Sequence, residues 1–159
     1  MSSEAGHFPN RAYLDQTSGN LHLNGANLLD VAEVALPQKV AISNAKGGSS
    51  NICLVTFQVQ DGAGNNVANV TALDVWLSDA ATGIGLTATT ASGTVGAGTS
   101  GTDLAWITAS KAARVLTDAT GKYILSITDS AKTGFYPCCS VPGTGKVAVG
   151  AQLTSGSYD

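Results

Sequence analysis

Apolar and polar residues alternate most strictly between residues 52 and 77. Val55, Phe57 and Val59 interleave with Thr56, Gln58 and Gln60, and Leu73, Val75 and Leu77 interleave with Asp74, Trp76 and Ser78. Both runs have the period of a strand with one wet face. The intervening Asp61-Gly62-Ala63-Gly64-Asn65-Asn66 supplies residues that tolerate left-handed backbone and cap their own turns. The stretch therefore reads as a strand–turn–strand hairpin, with the rest of the chain built outward from it.

The same grammar continues on either side. Residues 34–43 predict a first strand, with Pro37 suited to an edge position, and 44–50 a loop. A turn at 79–83 and a short Thr-rich strand at 86–90 follow. Residues 91–103 are almost all small and read as a long exposed loop within one domain. Strands are predicted at 104–109, 113–117, 122–128, 134–141 and 146–153, with Tyr123, Leu125 and Ile127 sharing one face. Seven to eight strands joined by Gly/Asp/Asn/Ser turns, with no amphipathic helix, predict an all-β sandwich over 35–159.

Residues 1–34 differ in kind. The first eleven are polar and read as a tail, and the remainder carries scattered apolar positions punctuated by Ser18-Gly19-Asn20 and Asn24-Gly25. These apolar residues are too few for a core of their own. The segment therefore reads as an extended N-terminal arm that docks on a partner, a neighbouring subunit being favoured. Tyr13, Leu14, Leu21, Leu23 and Leu28 are its candidate contacts, and Trp76 and Trp106 in the sandwich are candidate interface residues as well.

Composition narrows the classes of function. Charged residues make up 12% of the chain, about half the usual share, a profile that suits a surface tiled against other protein. The net charge is −3 with no basic run, so nucleic-acid binding has little electrostatic support. No apolar stretch approaches the ~20 residues that span a bilayer. The first residues carry no basic segment followed by an apolar one, so no secretory signal is expected and synthesis is expected in a reducing cytoplasm.

Two segments resemble a known family. VTFQVQDGAGNNVANVTALDVWLSD, through Asp61, Gly64, Asn65, Val67 and Val70, is similar to the opening of bacterial immunoglobulin-like domains of the invasin/intimin type. TDATGKYILSITDSAKTGFY resembles a later part of the same family through Thr117, Asp118, Gly121, Tyr123 and Gly134. Together they cover roughly 35–155, whereas the 91–103 run and the Cys138-Cys139 pair depart from the pattern. Taken with its arm and the YLDQTSGNLHLNG opening, the chain resembles small virion proteins of tailed phages, particularly head decoration or cement proteins. That resemblance implies a virion location on the capsid surface, assembly in the host cytoplasm, the major capsid protein as partner, and a homo-oligomer, a trimer being favoured. A head fibre, a tail accessory protein, or a carbohydrate- or host-surface-binding module using Trp76 and Trp106 is the alternative.

The immunoglobulin likeness also raises a bridge from Cys53 to Cys138 or Cys139, with Trp76 and Tyr136 imitating the core of antibody domains. Trp76 shares parity with Asp74 and Ser78 and so points outward, and cytoplasmic synthesis disfavours disulfides. Buried free thiols are the expectation. His7 and His22 are far apart and have no partner at metal-ligand spacing. Asp61, Asn65 and Asn66 suit a plain turn as well as calcium, and no metal or cofactor site is assigned. Gly143-Thr144-Gly145-Lys146 lacks the spacing of a phosphate loop and reads as a hairpin turn. No nucleophile elbow or paired acids mark a catalytic unit, so no enzymatic activity is expected.

Overall fold

The computed structural model describes Ala12–Leu14, Leu21–Leu23, Ala26–Asn27 and residues 36–159. The chain divides into two compact units, Met1–Leu36 and Pro37–Asp159. In the first, β1 (Ala12–Leu14), β2 (Leu21–Leu23) and β3 (Ala26–Asn27) form an antiparallel sheet in that order, with Leu14 opposite Leu21 and His22 opposite Asn27. Leu28 lies outside the described residues.

The second unit is a β-sandwich. One sheet has the order β4 (Lys39–Lys46), β5 (Ile52–Gln60), β10 (Lys122–Thr128), β7 (Val95–Ala97). The other has the order β12 (Lys146–Val149), β11 (Tyr136–Val141), β6 (Ala72–Ser78), β9 (Ala112–Leu116), β8 (Thr102–Thr108). All pairings are antiparallel. Seven of these nine strands reproduce the immunoglobulin order, with β4-β5-β10-β7 facing β12-β11-β6. The β8–β9 hairpin extends the second sheet beyond β6.

Alternation builds the core. Cys53, Val55, Phe57 and Val59 from β5, and Tyr123, Leu125 and Ile127 from β10, are buried on the inner face of the first sheet. Leu73, Val75 and Leu77 from β6, with Ala113 and Val115 from β9, meet them from the second. Phe57 and Tyr123 pack with ring centroids 6.1 Å apart.

Four expectations are corrected. β5 and β6 are not a hairpin: residues 61–71 cross from one sheet to the other, so the two strands face each other through the core. The small-residue run 91–103 is not simply an exposed loop. Ala91 and Val95 are buried, and β7 within it pairs with β10. Residues 86–90 form no strand but part of a tied loop. The first sandwich strand begins at Lys39, with Pro37 two residues before it.

Candidate interaction surface

The loop after β6 lies over the outer face of the five-stranded sheet. Trp76 occupies that face, and its indole N–H donates to Gly83 O at 2.9 Å. Gly83 has φ +72°, and a Cβ there would sit 2.8 Å from Val149 Cγ2 and 3.1 Å from Cys138 Sγ. The loop backbone therefore presses directly on the β11–β12 pair. Ser78 Oγ donates to Ile84 O, and Asp79 accepts from the Thr87 hydroxyl at 2.6 Å and the Ala88 amide at 2.8 Å. Those bonds, the Thr87 hydroxyl's foremost, hold the Asp79 carboxyl below the usual carboxylate range. Lys111, in the β8–β9 turn, donates to the carbonyls of Thr87 and Ala88 at 2.9 and 2.8 Å. On this tethered loop Ile84 is 78% and Leu86 45% exposed.

The β8 edge displays apolar groups by another device. Its pairing with β9 breaks register between Asp103 and Ala105 and again between Trp106 and Thr108. Leu104 and Ile107 are the extra residues of these two bulges. They are 52% and 68% exposed. The bulges also re-aim Trp106. Its partner Ala113 lies on the inner face, and its indole N–H donates to Asp103 Oδ2 at 3.2 Å. Trp106 is therefore a half-buried inward residue at the sandwich edge, not an outward aromatic.

Carboxylates in the sandwich serve the fold. Asp103 also accepts from Tyr123 Oη at 2.6 Å and the Ala97 amide at 3.1 Å, tying β8 to both β10 and β7 across the sandwich edge. Asp74 and Arg114 are cross-strand partners, Arg114 donating from Nε and Nη2 at 2.8 and 3.1 Å. Fully buried Asp129 accepts from the amides of Ser92, Ala131 and Thr133. Burial pushes its pKa up, but bonds from Thr133, Ser92 and Ala131 outweigh this and set it at about 2. Asp61 and Asp118 cap their own turns.

All three cysteines are free and buried. No bridge joins Cys53 to Cys138 or Cys139, and for Cys138 strand parity gives the reason. Cys138 pairs with Trp76 and faces the loop on the outer side, whereas Cys139 pairs with Val75 on the inner side. Cys53 also faces inward. Burial raises Cys53 and Cys138 to about 11 and Cys139 to about 12. Tyr136, expected to imitate a tyrosine corner, bonds to the side chain of Gln152 instead. Among the arm residues, Tyr13 and Leu14 fall in β1 and Leu21 and Leu23 in β2.

Among the described residues no group of three His, Cys, Asp or Glu could hold a metal ion, and no helix is long and apolar enough to cross a membrane. Comparison with family models, curated proteins and solved structures returned no match.

Proposed function

We propose that the protein is a structural component of a phage virion, attached to the head lattice as a decoration or cement protein. The observation that carries this reading is the mounting of Ile84, Leu86, Leu104 and Ile107. These large apolar side chains are held in solvent by a loop tied at Trp76, Asp79 and Lys111 and by two bulges. Exposed apolar groups on an ordered scaffold offer a partner burial without a large ordering cost. Lys111 ties this loop to the β8–β9 hairpin. The low charge of the chain suits the same use, since fewer ionic groups need to be desolvated.

Cementing would act by mass action: a protein that binds only the assembled shell lowers the free energy of that state. The arm, with its spaced leucines, would extend the contact to the capsid protein or a neighbouring copy. The sugar-binding alternative is the less supported reading. Trp76 and Trp106 are half-buried, and both spend their indole N–H on internal acceptors.

The test is binding of purified variants to heads of the encoding phage. Ile84→Ser combined with Ile107→Ser, and separately deletion of residues 1–30, should leave the sandwich's melting transition intact and weaken binding at least tenfold. Full binding by both variants overturns the assignment.

A further inference from the structure

Four strands end the two sandwich sheets, and three of them are poor templates for further pairing. β7 has three residues, β12 has four, and β8 is broken by two bulges. β4 is different. Its eight residues pair with β5 in continuous register, and no described strand pairs with its other side. The run from Val40 to Ala45 carries no charge and no proline.

The phase of this open rim follows from one bond. Gly47 N donates to Ile52 O at 3.0 Å, so odd-numbered residues of β4 bond to β5. The backbone groups of Val40, Ile42 and Asn44 therefore point to the open side. Antiparallel pairing sets rim-facing residues opposite one another. A two-fold axis through Ile42 places Ile42 against its own copy, Val40 against Asn44, Ala41 against Ser43 and Lys39 against Ala45. Lys46 then falls opposite Gln38, so no like charges meet, whereas an axis through Ser43 would set Val40 against Lys46. On the outer face Ala41 and Ser43 oppose each other as small, exposed side chains, and Ala45 faces only the flexible, exposed Lys39.

We propose that β4 pairs antiparallel with β4 of a second copy about a two-fold axis at Ile42, joining two four-stranded sheets into one of eight strands. This contact is self-complementary and closes at two copies. It stands whether or not the chain binds a head, and it differs from the three-fold arrangement implied by the phage resemblance.

The test is the solution mass of the full chain by light scattering over a hundredfold concentration range. The wild type should reach twice the 15.9 kDa chain mass. Ala41→Glu with Ser43→Glu, and Ala41→Lys with Ser43→Lys, each set like charges opposite one another at exposed sites. Each double variant should fold, by its circular dichroism melt, and remain monomeric. An equimolar mixture of the two should regain the dimer, because Glu then opposes Lys. A wild type that stays monomeric, a trimer, or a dimer that persists in both charged variants overturns the proposal.

Discussion

Tyr123 donates its phenolic hydrogen to Asp103 Oδ1 across 2.6 Å, linking the buried face of β10 to β8 in the opposite sheet. Burial first, and then this bond, raise the Tyr123 pKa well above the ordinary phenol range. Tyr123→Phe should cost about 1 kcal/mol, and Asp103→Ala about 2–3 kcal/mol because it strands the Tyr123, Trp106 and Ala97 donors together. A group whose folded pKa is raised contributes stability that is present below its unfolded pKa and lost as pH rises. The wild type should therefore lose stability above pH ~10 more steeply than Tyr123→Phe, as followed by urea denaturation.

Asp129 has the opposite sign. Its carboxylate is held at about 2 by the donors around it. Its contribution is complete above the unfolded value of about 3.9 and is lost as pH falls toward the folded one. Asp129→Asn turns one acceptor into a donor against backbone amides and should cost about 2 kcal/mol at neutral pH. The difference from wild type should shrink between pH 4 and pH 2. A constant difference across that range would assign the cost to packing instead.

Much of this fold was legible in the alternation. Val55, Phe57, Val59, Leu73, Val75, Leu77, Tyr123, Leu125 and Ile127 all face the core. Alternation fixes a face but not a partner, which is why β5 and β6 read as a hairpin although they belong to opposite sheets. β7 was hidden because its Val95-Gly96-Ala97 offers one large apolar side chain among small ones. The candidate surface was the least legible. Two bulges set Asp103 and Trp106 on one face three residues apart, and no local residue pattern announces them. The loop at 79–90 is tied by Lys111, which lies more than twenty residues away in sequence.

Gly121 tests the register of the sandwich. Its φ is +73°, and a Cβ there would lie 1.9 Å from Val67 O. Its carbonyl also accepts from the Val59 amide. Gly121→Ala combines a left-handed backbone with a backbone clash and should cost about 2–4 kcal/mol. Thermal unfolding of the variant reads this directly.

Cys138 reports on the loop. In the native chain all three thiols should react slowly with a water-soluble thiol reagent, since they are buried and their pKa values raised. Asp79→Ala releases the Thr87 hydroxyl and Ala88 amide, loosening the cover over Cys138 but not over Cys53 or Cys139. Labelling at Cys138 should rise several-fold, with the other two unchanged, as read by peptide mass mapping. Equal acceleration at all three would mean global rather than local opening.

Co-sedimentation decides whether the chain attaches to a head lattice as proposed. The purified chain is titrated onto phage heads that lack it, and bound protein is measured in the pellet. Saturation is expected at a fixed ratio to the major capsid protein, with decorated heads disrupting at a higher temperature. Chain left in the supernatant at all concentrations, with head stability unchanged, would contradict it.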